Sequence, residues 1–227
     1  MVDHNTVEHA TLKQAVSRRT RVKICGLREH EHVQAAVQAG ADALGFVFYP
    51  PSPRAVSTGQ AAELITAMPP FVTSVGLLVN PDAALVQEVL QQCNIDLLQF
   101  HGDEDDAFCR QFGRPFIKAV RMAPDLDVEA TLAQWPSARG LLLDAWHPEL
   151  PGGTGEQFDW SRIPERWRSR IILAGGLTPD NVATAIRTLH PYALDVSGGV
   201  EVSKGIKSTQ RIQAFVAAVR QEELRHD

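Results

Sequence analysis

The fold of this chain is decided by the segment Lys23-Ile24-Cys25-Gly26-Leu27, where a short β-rich run delivers a thiol to its carboxyl end. A glycine follows the cysteine at once, and a helix-like stretch, Glu29–Gln38, comes next. Parallel α/β folds carry their chemistry at this edge, where a strand passes into a βα turn. The segment therefore predicts a parallel α/β fold with Cys25 as a candidate base or nucleophile.

Strand-like runs recur along the chain with helical stretches between them, which is the rhythm of βα units. The predicted strands are Arg21–Cys25, Ala43–Phe48, Ser74–Val79, Leu97–Phe100, Phe116–Val120, Gly140–Asp144, Ile171–Ala174 and Ala193–Val196. The predicted helices are Glu29–Gln38, Gly59–Met68, Asp82–Cys93, Asp105–Phe112, Asp127–Gln134, Asn181–Leu189 and Thr209–Arg220. Eight such units predict a single (β/α)8 TIM barrel, with an open doubly wound sheet as the alternative.

Local signals refine this division. Asn80-Pro81 and Thr178-Pro179 each place a capping residue before a helix-opening proline, which predicts helix starts there. The sixth connection contains only the short, proline-broken stretch Ser161–Pro164, so no full helix is expected in it. No linker interrupts the chain, and we expect one barrel domain over residues 21–222 after a polar N-terminal extension, residues 1–20.

Composition excludes several classes of protein. The chain has 227 residues, 44% of them hydrophobic, and a net charge of −5, which does not favour nucleic acid or an anionic membrane as a partner. The longest apolar runs are strand-sized, and Met1–Arg19 lacks the apolar stretch of a signal peptide. The three cysteines have no CxxC spacing, which indicates a reducing, cytoplasmic location without disulfides.

Glycine-rich turns follow the last three predicted strands. Gly175 and Gly176 follow the seventh strand, and Ser197 and Gly198 follow the eighth. Small residues let backbone N–H groups approach an anion, and barrels often bind phosphate at this pair of loops. We therefore predict a phosphorylated small-molecule substrate; tight turns without a ligand are the alternative. The stretch Gly152–Gly155, after the sixth strand, is interpreted as a lid or as a plain flexible turn.

A candidate base lies at the first strand. Lys23 is two residues before Cys25, so both side chains point to one face of the strand. A free cysteine has a pKa near 8.5, and a neighbouring ammonium lowers it. Because strand 8 closes against strand 1 in a barrel, we expect Asp195 near Lys23, where it could hold that lysine or the substrate. The alternative for Cys25 is an inert buried thiol.

Three further side chains are candidates at the same edge. Asp144 ends an apolar strand, where partial burial suits a general acid; hydrogen bonding to the following loop is its alternative role. Arg54 follows three prolines in a stiff loop, and its guanidinium suits a ligand carboxylate. His101 follows the fourth strand, where it either lines the site or has only a structural role in the loop. His30 and His32 do not share a helix face, so no metal site is predicted.

These segments, in this order, resemble the phosphoribosylanthranilate isomerase family of tryptophan biosynthesis, over Val22 to about Ala218. The segments that carry the resemblance are Lys23-Ile24-Cys25-Gly26-Leu27, Gly45-Phe46-Val47-Phe48, Ser52-Pro53-Arg54, Leu98-Gln99-Phe100-His101-Gly102, Leu142-Leu143-Asp144, Gly152-Gly153-Thr154-Gly155, Leu173-Ala174-Gly175-Gly176-Leu177, Asp195-Val196-Ser197 and Gly205-Ile206-Lys207. No single segment is decisive, whereas the ordered set is specific.

The resemblance implies an isomerase that needs neither cofactor nor metal. It would convert N-(5-phosphoribosyl)anthranilate to 1-(2-carboxyphenylamino)-1-deoxyribulose 5-phosphate by an Amadori rearrangement. In this family pattern Asp144 matches the general acid, Cys25 the general base, and Arg54 the arginine that faces the anthranilate carboxylate. The loops at Gly175-Gly176 and Ser197-Gly198 match the phosphate site.

Two positions depart from the family pattern. Gly198 stands where serine is common, so a hydroxyl is lost while an N–H donor remains, and Ser208 stands where aspartate is common. The rivals are a barrel isomerase of histidine biosynthesis, which uses a carboxylate base at strand 1, and a barrel that binds a phosphorylated ligand without turnover. The sequence leaves open whether the chain is a monomer or a homodimer.

Overall fold

Eight parallel strands close into a barrel. The computed structural model describes residues 19–146, 158–168 and 170–225, and its strands pair in chain order from β1 to β8. The strands are β1 Arg21–Cys25, β2 Ala43–Val47, β3 Thr73–Leu78, β4 Leu97–Phe100, β5 Phe116–Met122, β6 Gly140–Ala145, β7 Ile171–Leu173 and β8 Ala193–Val196. The helices are α1 His30–Ala39, α2 Thr58–Thr66, α3 Ala83–Gln92, α4 Asp106–Arg110, α5 Val128–Leu132, α6 Glu165–Arg168, α7 Val182–Leu189 and α8 Thr209–Glu223.

The closure between β8 and β1 confirms the predicted (β/α)8 barrel. Lys23 on β1 is in register with Asp195 on β8, and Cys25 is in register with Gly45 on β2. An open doubly wound sheet would leave two edge strands unpaired, whereas here every one of these eight strands has two neighbours. The predicted and observed strands differ by at most two residues at either end.

The strands separate two layers of apolar side chains, because successive residues point to opposite faces. Outward-facing residues such as Ile24 and Leu44 pack in the large core between the strands and the helices. The barrel interior is filled by the smaller cluster of Ile117, Ala119, Leu142, Ile172, Ala174 and Ala193. This packed interior forms a floor, above which the side chains at the carboxyl ends of the strands are held.

Two predicted helix caps were wrong by two or three residues. Asp82, not Asn80, caps α3, and its side chain accepts the backbone N–H of Leu85 at 2.8 Å. Asn80 has a φ of +46° and belongs to the turn that precedes the helix. Asn181, not Thr178, stands at the N-cap of α7, and its side-chain oxygen accepts the backbone N–H of Thr178 at 2.8 Å.

The least regular parts of the barrel are its sixth connection and its last loop. In the described part of the sixth connection, residues 158–168, no long helix is present, as predicted; a 3-10 turn, Trp160–Arg162, precedes the four-residue α6. An antiparallel hairpin of β9 Glu201–Ser203 and β10 Ile206–Lys207 follows β8 and was not predicted. Strands of three and two residues are too short to show a period-2 pattern, and Gly205, at a φ of +86°, marks the turn.

The first described residues already contact the barrel. Arg19 forms an ion pair with Asp42, and the backbone N–H of Thr20 donates to the Glu223 carboxylate. Residues 1–18 of the predicted extension lie outside the described residues. They include Val7–Ser17, for which a helix that closes the bottom of the barrel is the alternative to a frayed tail. The glycine-rich stretch Gly152–Gly155 also lies outside the described residues. Within the described ranges, no helix is both long and apolar enough to cross a membrane.

Candidate active site

Cys25 and Lys23 lie side by side over a glycine of the neighbouring strand. A Cβ atom built on Gly45 would come 2.9 Å from the Cys25 Sγ and 3.0 Å from the Lys23 Nζ. Any larger residue at position 45 would displace the thiol or the ammonium. Sequence reasoning missed this role of Gly45, although a glycine inside a strand is a known sign of close approach by another group.

Burial and charge act in opposite directions on the thiol. Burial raises the pKa of Cys25, the Lys23 ammonium lowers it, and the Asp195 carboxylate raises it again. The net direction is upward, so the lysine acts as predicted but does not outweigh desolvation. Cys25 is 4% exposed, which explains why desolvation dominates its pKa.

Asp195 holds the lysine, as expected from the closure of the barrel. Lys23 Nζ donates to Asp195 Oδ1 at 2.9 Å, and both side chains are buried. Burial alone would lower the pKa of Lys23, but Asp195 and the Cys25 thiol outweigh it and raise the pKa. The lysine is therefore held as a cation next to the thiol.

Asp144 and His101 meet at the carboxyl ends of β6 and β4. The distance from His101 Nε2 to Asp144 Oδ2 is 3.3 Å, and Asp144 Oδ1 accepts the backbone N–H of Ala145 at 2.9 Å. Both side chains are buried. His101 thus contacts the side chain that is predicted as the acid, and its role in the site stays a prediction.

The glycine after β7 allows the chain to pass close to the acid. Gly175 has a φ of +81°, and a Cβ atom there would lie 2.6 Å from the Ala145 backbone nitrogen and 3.1 Å from Asp144 Oδ1. Glycine is required here by both the left-handed backbone and the lack of space. Gly176 follows with a φ of +61°, and its carbonyl accepts from the Asn181 side chain at 2.7 Å.

The two predicted phosphate loops pack directly against each other. A Cβ atom on Gly199 would overlap the carbonyl oxygen of Leu177, so the loop after β8 touches the loop after β7. The loop after β8 is also tied to β1, because the Ser197 hydroxyl donates to the Cys25 carbonyl at 3.0 Å. Gly198 begins a short 3-10 turn, Gly198–Val200. The structure therefore places Gly175, Gly176, Ser197 and Gly198 beside Cys25 and Asp144.

Arg54 is already engaged by a carboxylate of this chain. Its Nε and Nη2 atoms donate to the two carboxylate oxygens of Glu201 at 2.7 and 2.9 Å. The arginine stem crosses Gly26, where a Cβ atom would come 2.7 Å from the Arg54 Cδ. Charges on Cys25 and Asp144 both contribute to raising the pKa of the guanidinium, which places it within electrostatic reach of both groups.

Glu201 is a site residue that sequence reasoning missed. Besides Arg54, it accepts from Lys207 Nζ at 2.8 Å and from the Gly205 backbone at 3.1 Å. Burial would raise the pKa of the Glu201 carboxyl, but Arg54 and Lys207 lower it to about 2. Lys207 also donates to the Ser197 carbonyl at 3.0 Å, so Glu201 joins Arg54 to the loop after β8.

The remaining polar candidates do not form a site. In the described part of the chain, no three histidine, cysteine or acidic side chains lie close enough together to hold a metal ion. His32 on α1 is buried beside Glu29, 3.6 Å away. Cys93 and Cys109 lie in the core between strands and helices, and burial raises the pKa of Cys109 to about 12.

Comparison with known proteins identifies the family. The model of the N-(5'-phosphoribosyl)anthranilate (PRA) isomerase family matches residues 22–218. The chain belongs to this family. The match includes β2 to β8, all of β1 except Arg21, and most of α8, so the resemblance read from the segments and the observed barrel agree.

Relatives and solved structures agree with this assignment. An N-(5'-phosphoribosyl)anthranilate isomerase from Hahella chejuensis is 54% identical over 208 residues, which are 92% of this chain and 98% of that protein. The phosphoribosyl anthranilate isomerase from Thermotoga maritima is 38% identical with a TM-score of 0.81, covering 89% of this chain and 99% of the other. A phosphoribosyl anthranilate isomerase in complex with reduced 1-(o-carboxyphenylamino)-1-deoxyribulose 5-phosphate is 36% identical, with a TM-score of 0.78 over the same shares.

Proposed function

We propose that this chain is an isomerase of tryptophan biosynthesis that converts N-(5-phosphoribosyl)anthranilate to 1-(2-carboxyphenylamino)-1-deoxyribulose 5-phosphate. The observation that carries the proposal is the joint placement of three groups. The Cys25 thiol on β1 and the Asp144 carboxyl on β6 stand at the same end of the barrel, and both act electrostatically on the Arg54 guanidinium. A base, an acid and an anion-binding cation are what this Amadori rearrangement requires.

Asp144 is proposed as the general acid that opens the ribose ring. Its proton goes to the furanose oxygen, the bond between that oxygen and C1 breaks, and a Schiff base forms between C1 and the anthranilate nitrogen. The Asp144 carboxyl is oriented by the Ala145 N–H on one oxygen and by His101 beside the other. An acid held in one orientation loses less entropy on the way to the transition state.

Cys25 is proposed as the general base for the second half of the reaction. The thiolate takes the proton from C2 of the Schiff base, and the resulting enolamine tautomerises to the ketone. Lys23 is the group that favours the thiolate, and Asp195 keeps Lys23 in place and charged. Asp195 is thus assigned to the lysine, and its contact with the substrate is not required by the mechanism.

Substrate binding is proposed to use both ends of the molecule. Gly175 and Gly176 after β7, and Ser197 and Gly198 after β8, suit the phosphate, because these two loops touch and their small residues let an anion come close to the backbone. Glu201 accepts hydrogen bonds from the Nε and Nη2 atoms of Arg54. We therefore assign Nη1, the remaining guanidinium nitrogen, to the anthranilate carboxylate.

The direct test is turnover of phosphoribosylanthranilate by the purified chain, followed by the loss of substrate fluorescence. We expect turnover without added metal or cofactor. A chain that binds the substrate and leaves it unchanged would refute the proposal in favour of a ligand-binding barrel. Turnover of the histidine-pathway substrate alone would favour the other isomerase, whose base at strand 1 is a carboxylate instead of Cys25.

Domain organisation and cellular context are part of the proposal. We propose one catalytic domain, residues 21–222, that acts in the cytoplasm on a small phosphorylated substrate and has no nucleic-acid partner. The three free cysteines support a reducing compartment, because all are buried and none is paired. Light scattering of the purified chain decides between monomer and homodimer, the two states that the sequence leaves open.

A further inference from the structure

A buried amide lies behind the predicted acid. Gln99 on β4 is wholly buried and is two residues before His101. Its Nε2 atom lies 3.2 Å from His101 Nδ1, and the other ring nitrogen, Nε2, lies 3.3 Å from Asp144 Oδ2. Gln99, His101 and Asp144 thus form a continuous polar chain that runs from the barrel interior to the site.

The contacts define the tautomer of the imidazole. A neutral imidazole has one N–H donor and one acceptor nitrogen, and the hydrogen bond at one nitrogen decides what the other can do. The Gln99 amide nitrogen can only donate, so we infer that His101 Nδ1 accepts and that the imidazole proton lies on His101 Nε2. That proton faces the Asp144 carboxylate. The Nε2 contact is long and poorly aligned, as is common for catalytic contacts before a substrate binds.

The oxygen atom of the Gln99 amide, Oε1, has an unusual environment. Within the part of the chain that the structure describes, buried Gln99 Oε1 has no hydrogen-bond partner, and an unsatisfied buried acceptor costs free energy. An imidazolium carries a proton on both nitrogens and therefore needs an acceptor at Nδ1. Rotation of the Gln99 amide would present Oε1 to that proton. The unpaired oxygen is thus explained if His101 is protonated during the reaction.

We propose that Gln99 and His101 are positioning residues that supply and orient the proton of Asp144. In the resting state the Gln99 amide fixes the Nε2–H tautomer of His101, which orients the Asp144 carboxylate. When the pair takes up one proton, the Gln99 amide turns, Oε1 accepts from Nδ1–H, and the proton is shared along the contact between His101 Nε2 and Asp144 Oδ2. This inference rests on the proposed function of Asp144 as the acid.

The proton balance follows the ring opening. Asp144 gives the shared proton to the furanose oxygen as the C1–O bond breaks, which leaves a carboxylate and a neutral imidazole whose remaining proton is on Nδ1, where Gln99 Oε1 accepts it; a later proton taken up from water enters at Nε2. Cys25 gains the proton from C2 in the next step. After product release the His101–Asp144 pair takes a proton from water and the thiol gives one up, so the cycle has no net change.

Among the described residues, the other charges near Gln99, His101 and Asp144 are already compensated. The charged side chains on the neighbouring elements are Asp103 and Glu104 after β4, Lys118 and Arg121 on β5, and Arg54 after β2. Lys118 pairs with Glu104 at 3.3 Å, Arg121 with Asp103 at 3.2 Å, and Arg54 with Glu201 at 2.7 Å. Across the barrel mouth, the Lys23 ammonium is paired with Asp195. The charge that acts on the His101 imidazole is therefore that of the Asp144 carboxylate.

The decisive measurement is the tautomer of His101 in the intact wild-type chain. Nitrogen-15 NMR of histidine-labelled protein distinguishes Nε2–H from Nδ1–H, and His101→Gln identifies the resonance among the 8 histidines by its disappearance. We expect the Nε2–H form in the resting enzyme. A resting Nδ1–H form would overturn the proposal, whatever the activity of the enzyme.

The matched variant is Gln99→Met, which keeps the length of the side chain and removes both polar atoms. We expect a mixture of His101 tautomers and a kcat at least about tenfold lower, with KM for phosphoribosylanthranilate within about twofold. Ile117→Val, in the same interior layer, is the control for packing and should change neither quantity. Unchanged kcat and an unchanged tautomer in Gln99→Met would overturn the proposal.

These outcomes separate the inference from the proposed function. A wild-type chain with the Nε2–H tautomer but without isomerase activity contradicts the function and supports the tautomer assignment. An active wild-type chain with the Nδ1–H tautomer contradicts only the inference. If Gln99→Met does not fold, the wild-type tautomer alone decides.

Discussion

Lys23 and Asp195 are 172 residues apart in the chain, yet 2.9 Å separates the lysine Nζ from the aspartate Oδ1. The two residues are direct register partners of β1 and β8, the strands that close the barrel. Because both side chains are buried, breaking the pair would leave an uncompensated charge beside the Cys25 thiol. The closure of the barrel therefore sets the electrostatic environment of the proposed base.

The first prediction concerns Cys25. Cys25→Ser should fold and bind phosphate like the wild type, because serine is slightly smaller and the site lies above a packed interior. Its kcat should fall by at least about a hundredfold, since a hydroxyl is a poor base. Steady-state kinetics with phosphoribosylanthranilate checks this. A serine variant with nearly normal kcat would remove Cys25 from the mechanism.

Asp144→Asn tests the acid. The amide keeps the shape of the side chain and can still contact His101, but it has no proton to give to the ring oxygen. We expect a loss of kcat of at least about a hundredfold with substrate binding largely retained, measured by kinetics and by titration with a product analogue. Turnover close to that of the wild type would exclude the acid role of Asp144.

Arg54→Ala tests the carboxylate contact. We expect binding of the product to weaken by about 1.5–3 kcal/mol, the range for a hydrogen bond to a charged group. A product analogue without the carboxylate should lose almost nothing, and isothermal titration with both ligands measures the difference. Equal losses for the two ligands would mean that Arg54 only supports its loop.

Glu201→Gln is the matched control for that experiment. It breaks the ion pair with Arg54 and Lys207 while it preserves the guanidinium itself. If Arg54 binds the substrate carboxylate and Glu201 orients it, Glu201→Gln should weaken the binding of the carboxylate-bearing ligand less than Arg54→Ala does.

The Glu201 carboxyl predicts a dependence of stability on pH. Its folded-state pKa of about 2 lies below the ordinary value of 4.5, so its contribution is fully present above pH 4.5 and is lost as pH falls toward 2. This lowering of the Glu201 pKa corresponds to a contribution on the order of 3 kcal/mol to the free energy of unfolding. Urea unfolding at several pH values should show a steeper decline for wild type than for Glu201→Gln; parallel declines would contradict the assignment.

Removal of residues 1–18 should leave kcat/KM unchanged, because every proposed catalytic and binding group lies between Lys23 and Lys207. This truncation keeps Arg19, which pairs with Asp42, so the contact with the barrel is preserved. Arg19→Ala in the full chain is the control for that contact. A melting temperature lower by several degrees with normal kcat/KM would favour a helix that covers the bottom of the barrel. Lost turnover in a folded truncated chain would contradict the placement of the site.

The sequence alone was sufficient for the barrel and for the positions of the two side chains that we propose as base and acid. Strand-length apolar runs alternate with helical stretches, and the residue at the tip of a strand is apparent from local pattern. Cys25 and Asp144 were therefore predicted at the carboxyl ends of their strands, and both lie there. The cap of α3 was misplaced because a turn must first carry the chain away from β3, and Asn80 adopts a left-handed backbone to make that turn.

Only the tertiary structure decided which groups meet. Glu201 engages Arg54 across 147 residues, and the short hairpin that carries Glu201 has no periodicity to reveal it. Gly45 is needed because two side chains of β1 lie over it, which depends on the register of the strands. Local sequence encodes the direction of each side chain from its own strand, whereas distances between side chains of different strands follow from how the barrel closes. Burial, which raises the pKa of Cys25 despite Lys23, is likewise a property of the closed barrel.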